Sequence, residues 1–166
     1  EEVILSNLNW RGLSRTQVLE VEIIKVNGVK DENPFNNYLT SKVPLPKIFP
    51  NNFILIIKTN NIDRARENSF TISNNNGTVL YSGESFKDST EYSFPIELKR
   101  GLYEFIFKDN MEDGLSAHWW NRNSAPDKVG ISGEIKLLDN NGKILHEFNP
   151  DFGQQLRLSF IVGLIP

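Results

Sequence analysis

The sequence predicts an all-β sandwich. No window of a dozen residues keeps its apolar positions at a period of about 3.6 residues, whereas short alternating β-rich runs recur along the chain. Asparagine and glycine turns separate these runs, and the chain contains 20 asparagines. Because asparagine tolerates left-handed turn conformations, short strands divided by such turns indicate a sandwich of antiparallel strands.

Length and composition set the limits of the fold and exclude several function classes. A chain of 166 residues predicts one main core. Its 18 basic and 21 acidic residues give a net charge of −3 without a basic block, so we expect no nucleic-acid partner. The absence of cysteine excludes disulfides, thiolate catalysis and Cys-ligated zinc. No apolar run approaches the roughly 20 residues of a membrane span, so we expect none.

The first part of the chain combines one predicted strand with a proline-rich segment. Residues 16–26 alternate and end at Asn27-Gly28, which is typical of a type I′ turn. Residues 31–50 contain four prolines, which interrupt hydrogen-bonded ladders, and we interpret them as a linker or an extended edge segment. The predicted organisation is therefore an N-terminal strand with this segment, residues 1–49, followed by a sandwich domain, residues 50–166.

The sandwich domain contains an internal repeat. Residues 53–61 and 103–110 both read as an apolar strand followed by a polar loop. Each copy continues with a strand, an Asn-Gly turn and a second strand, then a phenylalanine-containing loop and a last alternating strand. The hairpins are 70–81 and 134–146, and the last strands are 91–98 and 155–162. Two similar four-strand halves give about eight antiparallel strands, the strand count of a jelly roll, and a gene duplication would account for them.

A cluster of carboxylates follows the strand at residues 101–108. Asp109, Glu112 and Asp113 precede Gly114, and a pseudo-two-fold relation between the halves would bring this loop to the loop 59–67. Calcium takes roughly six to eight oxygen ligands, which such loops can supply. The predicted ligands are the side chains of Asp109, Asp113, Asn60 and Glu67 and the carbonyls around Met111 and Leu115. The alternative is a solvated acidic turn in which Asp109 caps the backbone and Gly114 supplies a positive φ.

Two adjacent tryptophans form a candidate ligand-binding site. Trp119 and Trp120 precede Arg122, and adjacent residues on a strand face opposite ways, so one tryptophan can lie exposed. An exposed tryptophan beside arginine suits stacking on a sugar ring or binding a protein partner. Burial in the core or anchoring of a loop is the commoner use of such side chains, and both interpretations stay open.

Enzymatic signals are weak. His118 and His146 lie in dissimilar contexts, and no nucleophile-elbow spacing accompanies them. Glu67 and Asp113 are the best available carboxylate pair for glycoside hydrolysis. Their residue types are explained better as cation ligands.

Several motifs in order resemble a known family. They are Lys58-Thr59-Asn60-Asn61, Glu67-Asn68-Ser69-Phe70, Gly101-Leu102-Tyr103-Glu104-Phe105, the loop 109–115 and Asp151-Phe152-Gly153. Over roughly residues 50–163 they resemble the β-sandwich module of secreted, Bacteroidetes-type bacterial proteins that accompanies peptide-N-glycosidase F-like enzymes and metallopeptidases as a non-catalytic region. Asn60 stands where that pattern has Asp, Phe70 replaces Trp, and the module's cysteines are absent.

The resemblance implies an extracellular or cell-surface protein and a catalytic domain elsewhere in the same polypeptide. Residues 1–49 would then be the tail of a preceding domain, a linker or an edge strand. We therefore predict a non-catalytic, calcium-stabilised accessory module that presents loops to a glycan or a protein. The alternative is a small extracellular hydrolase acting on glycans or peptides.

Overall fold

The computed structural model of the chain describes residues 17–30, 32–43, 46–118 and 130–163. These residues form β-strands and two short 3₁₀ turns, Pro34–Asn36 and Ala65–Glu67, with no α-helix in the described ranges. None of the helical segments described is long and apolar enough to cross a lipid bilayer. The predicted all-β class is therefore confirmed.

The strands are numbered here in chain order. They are β1 (Gln17–Glu22), β2 (Tyr38–Val43), β3 (Lys47–Phe49), β4 (Asn52–Lys58), β5 (Asn68–Asn74), β6 (Val79–Glu84), β7 (Glu91–Glu97), β8 (Gly101–Asp109), β9 (Glu134–Leu138), β10 (Ile144–Glu147) and β11 (Gln155–Val162). The chain divides into two compact units, Glu1–Pro46 and Lys47–Pro166.

The described part of the first unit is an antiparallel ribbon of β1 and β2, in register from Gln17↔Val43 to Glu22↔Tyr38. The predicted type I′ turn is present, because Asn27 has a φ of 53° and Gly28 a φ of 81°. The proline-rich stretch contains β2 and β3 as well as connecting residues, and Pro34, Pro46 and Pro50 lie outside these strands. A proline outside a strand costs that strand no ladder hydrogen bond.

The second unit contains two sheets. Their strand orders are β10-β9-β4-β7 and β3-β11-β8-β5-β6. All pairs in them are antiparallel except the short β3, which runs parallel to β11. The larger sheet is thus mixed. The two sheets contain nine strands, and the strand that the prediction of about eight antiparallel strands omitted is β3. The two strand orders are related by the repeat. If β4, β5, β6 and β7 exchange places with β8, β9, β10 and β11, respectively, the strand order of the smaller sheet becomes that of the larger sheet without β3.

The core lies between the inward faces of these two sheets. In β8 the odd-numbered residues from Tyr103 to Asp109 are buried, with Phe105 and Phe107 fully so, while the residues between them are not, as the alternation predicts. Phenylalanines dominate the packing, and the Phe53 ring meets Phe160 edge-on at 5.8 Å between centroids. Burying each such ring contributes about 1.5–3 kcal/mol of hydrophobic free energy.

Strand direction decides which loops share an end of the second unit. β4 ends at Lys58, opposite the first residue of β9, and β8 ends at Asp109, opposite the first residue of β5, Asn68. The loops after β4 and after β8 therefore lie at one end, which we call the carboxylate end. The turns 74–78 and 139–143 lie at the other end.

Candidate metal centre

Three carboxylates converge at the carboxylate end. One oxygen each from Glu67, Asp109 and Asp113 can be chosen so that all three lie within 4.8 Å of one another. Glu67 ends the 3₁₀ turn that precedes β5, whereas Asp109 and Asp113 come from the end of β8 and the loop after it. The loops of the two repeat halves therefore meet, as the sequence repeat predicts.

Asp109 shapes its own loop. The side chain is 1% exposed, and its Oδ1 accepts the N–H of Met111 at 3.0 Å. Its Oδ2 accepts the N–H groups of Asp113, at 2.9 Å, and of Gly114. Gly114 has a φ of +67°, and a Cβ there would come within 2.6 Å of the Pro150 carbonyl oxygen. The capping role of the alternative interpretation is thus present, and it leaves about one lone-pair position free on the carboxylate.

Arg64 connects Asp113 and Glu67. Its Nη1 lies 3.1 Å from Asp113 Oδ2 and 3.5 Å from Glu67 Oε2. The three side chains are only 15–22% exposed, so these contacts are shielded from bulk water. When all the groups are ionised, three carboxylates and one guanidinium leave a formal charge of −2.

The pKa of Asp113 is raised to about 7. Burial is the largest cause, followed by a hydrogen bond with Asp109 and the charge of Asp109, whereas Arg64 opposes the rise and Glu67 adds to it. Near neutral pH, Asp113 therefore carries a proton in a substantial fraction of cation-free molecules. A bound dication would replace that proton, since it stabilises the ionised carboxylate.

Buried oxygen atoms without a hydrogen-bond partner lie beside the carboxylates. Asn68 is 2% exposed and directly opposite Asp109 in the β5–β8 ladder, so the two side chains share a face. Its Nδ2 donates to the carbonyls of Arg64 and Ala65, while its Oδ1 has no hydrogen-bond partner among the described residues. The same is true of the buried Asp113 Oδ1. Such atoms call for an ion or a water, because buried polar groups are almost always partnered.

Asn60 adds a further unpaired amide. It is fully buried two residues after β4, and neither Oδ1 nor Nδ2 has a hydrogen-bond partner among the described residues. Gly133 packs closely against the Lys58 carbonyl oxygen and the Asn60 backbone nitrogen, and its Cβ, if present, would lie 3.1 Å from the Leu115 Cβ. The backbone of Asn60 is therefore held where the chain entering β9 meets the residues that follow Asp113.

Met111 and Leu115 hold the loop through their backbones. Met111 is 58% exposed, and its N–H donates a hydrogen bond to Asp109 Oδ1. Leu115 is fully buried; its N–H donates to Pro150 and its carbonyl accepts the Gly133 N–H, both at 2.8 Å. The carbonyl predicted as a calcium ligand at Leu115 thus already has one hydrogen-bond donor.

Sequence reasoning missed two members of this centre. Asn68 and Arg64 were not among the predicted ligands, although Asn68 adjoins Glu67 in the chain. The register Asn68↔Asp109 was the missing signal, and it follows only from the pairing of β5 with β8.

The sequence also singled out the tryptophan motif and two histidines. Trp119, Trp120 and Arg122 fall outside the described residues. His118 Nε2 lies 3.5 Å from Asp151 Oδ2, whereas His146, on the edge strand β10, contacts Lys47 Nζ at 2.6 Å. His118 thus has an acidic neighbour, whereas His146 has a basic one.

The centre consists of hard oxygen donors from two loops and one strand start, held by backbone hydrogen bonds. This donor set suits a divalent cation. Comparison with models of protein families, with curated proteins and with solved structures gave no match to this chain.

Proposed function

We propose that the second unit is a non-catalytic accessory module whose carboxylate end is cross-linked by a calcium ion. One observation carries the proposal: three carboxylate oxygens lie within 4.8 Å of one another beside the buried, unpaired Oδ1 of Asn68. Without a cation, this arrangement concentrates like charges and leaves a polar atom unsatisfied. With one, both costs are offset.

The donor chemistry favours calcium among the common metals. Glu67, Asp109, Asp113 and Asn68 offer oxygen only, with Asn60 as a further amide donor, and none offers imidazole or thiolate. Zinc prefers nitrogen and sulfur ligands. Magnesium demands near-octahedral geometry, whereas calcium accepts irregular sets of carboxylates and amide carbonyls.

The proposed role of the ion is to fix loops. It would join loop 61–67 to loop 109–115, which Arg64 already bridges through Asp113. Calcium at 100 times its dissociation constant would stabilise the folded state by about 2.7 kcal/mol. Loops held in this way present a defined surface to a ligand.

The biological setting is proposed from the family resemblance of residues 50–163. It is a secreted or cell-surface bacterial polypeptide in which the module lies beside a catalytic domain or binds a glycan or protein. A glycan array tests the carbohydrate interpretation, with Trp119→Ala and Trp120→Ala as comparison variants. Equal glycan binding by both variants and the parent would contradict a role for these tryptophans.

We also propose that the sandwich is a jelly roll built from a duplicated four-strand unit. The exchange relation between the two strand orders supports it. So do the turns after β5 and β9: Asn74 Oδ1 accepts the N–H groups of Asn76 and Thr78, and Asp139 Oδ1 accepts those of Asn141 and Lys143. Such equivalence at matching positions is expected of a repeat.

Thermal unfolding in excess calcium and in excess chelator tests the calcium site. We expect a higher melting temperature with calcium, and a smaller gain in Asp113→Asn and Glu67→Gln, which remove ligand charge. Glu112→Gln is the matched control, because Glu112 lies in the same loop but outside the cluster. Identical melting curves of the parent chain in the two conditions would rule out the proposal.

One observation favours the hydrolase alternative. A carboxyl pKa of about 7 at Asp113 suits a general acid. However, two surface cavities, of about 360 and 300 Å³, are lined by other residues than Glu67 and Asp113. A substrate at Asp113 would also compete with Arg64. Turnover of a glycan or peptide that Asp113→Asn abolishes without loss of folding would establish the hydrolase instead.

A further inference from the structure

Arg64 links the two loops of the carboxylate end through its side chain. Its backbone is fixed, since its carbonyl accepts hydrogen bonds from the Glu67 N–H and from Asn68 Nδ2, each at 3.2 Å. Its side chain extends to the other loop, where Nη1 lies 3.1 Å from Asp113 Oδ2. The backbone anchor is therefore local, whereas the guanidinium contact is long-range.

The guanidinium contacts two groups that a cation would need. Nη1 faces Asp113 Oδ2 and Glu67 Oε2, and these carboxylates belong to the cluster whose oxygens converge within 4.8 Å. A guanidinium has no lone pair to donate to a metal, so it cannot become a ligand. It would instead repel a dication bound at the same carboxylates.

The surroundings allow Arg64 to leave. Its side chain keeps 15% exposure, so a route to solvent exists, whereas Asp109 is 1% exposed and held by three backbone N–H groups. Movement of the arginine side chain requires no change in the backbone contacts that its carbonyl makes. The unpaired oxygens of Asn68 and Asp113 stay in place to receive the ion.

On the basis of the proposed calcium site, we infer that Arg64 is a built-in competitor that determines the site's affinity. Its guanidinium pairs with Glu67 and Asp113 when no cation is bound, and calcium must displace it. The net affinity is then the affinity of the carboxylate set reduced by the free energy of those ion pairs.

Calorimetric titration of Ca²⁺ alone into chelator-treated protein tests the inference. Arg64→Gln removes the positive charge but keeps a long polar side chain, and we expect it to bind calcium at least about tenfold more tightly than the parent. Arg64→Lys keeps the charge and should bind within a few-fold of the parent. Arg66→Gln is the matched control, since Arg66 is exposed two residues away and should leave the dissociation constant unchanged.

A second measurement does not depend on any variant folding. In the parent protein, NMR of the arginine side chains should show faster exchange of the Arg64 guanidinium protons with water once calcium is saturating. Unchanged exchange, or an Arg64→Gln variant that binds calcium equally or more weakly, would overturn the competitor role and leave the calcium site standing. Absence of calcium binding by the folded parent and by folded Arg64→Gln would overturn the calcium site itself.

Discussion

Two aspartates four positions apart in one loop have different functions. Asp109 is buried and satisfied by three backbone N–H groups, so its carboxylate determines the path of residues 110–114. Asp113 is paired with Arg64 through one oxygen and leaves the other unpaired. The first aspartate therefore holds the loop, whereas the second is the group that we propose to respond to a cation.

Asp109→Ala should destabilise the protein even in chelator. The substitution leaves three loop N–H groups without their acceptor, which we expect to cost about 2–4 kcal/mol of unfolding free energy. Urea denaturation measures this cost. Asp109→Asn keeps one acceptor oxygen and should lie between the parent and the alanine variant. A chelator-treated alanine variant as stable as the parent would contradict the capping role.

Asp113→Asn should change how stability depends on pH. In the cation-free protein the pKa of Asp113 is raised from 3.8 to about 7, so the folded state binds the proton more tightly than the unfolded state. This contribution to stability is fully present below the unfolded-state pKa and is lost as pH rises through about 7. Melting in chelator should therefore show a smaller decline between acidic and alkaline pH in Asp113→Asn than in the parent.

The variant should also be more stable than the parent in chelator above neutral pH, because it no longer buries an ionised carboxylate. In calcium the order should reverse. Parallel pH profiles for the two proteins in chelator would show that Asp113 ionises in the folded state as it does in the unfolded chain.

At the scale of elements, β3 shows how a short strand becomes important through its burial. It has three residues between Pro46 and Pro50, and it pairs parallel to β11 at the edge of the larger sheet. Its last residue, Phe49, is 3% exposed and packs against Phe53 and Phe160, with ring centroids 5.8 and 5.1 Å away. A three-residue alternation is too short to be recognised as a strand from the sequence.

Phe49→Ala should lower the free energy of unfolding by about 3–4 kcal/mol, because it leaves a cavity among packed aromatic rings. Ile48→Ala is the matched control in the same strand. Ile48 is 56% exposed, and its truncation should cost less than about 0.5 kcal/mol. Chemical denaturation measures the free energy of unfolding of both variants. Equal losses would mean that β3 is not anchored through Phe49.

The two Asn-Gly turns are equivalent elements and should respond equally. Gly77 and Gly142 have φ angles of 78° and 80°, and each donates its N–H back to the residue that begins the turn. Gly77→Ala and Gly142→Ala should each cost about 1 kcal/mol, because alanine adopts positive φ with difficulty. Asn76→Ala, at an exposed neighbouring position, is the control. Clearly unequal costs for the glycine variants would argue against equivalent halves.

Across the whole second unit, apolar packing and buried charge are separated along the strands. Aromatic and aliphatic side chains fill the space between the sheets, and the turns 74–78 and 139–143 close the end remote from the carboxylates. The carboxylate end combines buried charge with unpaired polar atoms. The unfavourable free energy of close carboxylates and unpaired polar atoms is therefore concentrated at the end where the proposed cation would bind.

Hydrogen exchange should show that calcium acts locally. We expect added calcium to slow amide exchange in loops 61–67 and 109–115, because the ion joins them, and to leave the turns 74–78 and 139–143 nearly unchanged. Mass spectrometry of peptides from the native protein measures both ends in one experiment. Protection spread equally over both ends would indicate global stabilisation without a site at the carboxylate end.

Features that depend on neighbouring residues are predictable from the sequence. The strands β4, β5, β8, β9 and β11 were predictable within a few residues, since side chains alternate along a strand with a period of two. The glycine turns were predictable because positive φ selects particular residues. The repeat even predicted that the loops after β4 and β8 meet.

Which side chains share the centre depends on the packing of the folded chain. Glu67 and Asp109 are far apart in the chain, and the pairing of β5 with β8 places them together. That pairing also brings in Asn68, and loop packing brings in Arg64. Strand partners, register and burial arise from how the whole core packs, so no local pattern encodes them. For the same reason, the charge balance that the ion would relieve exists only in the folded chain.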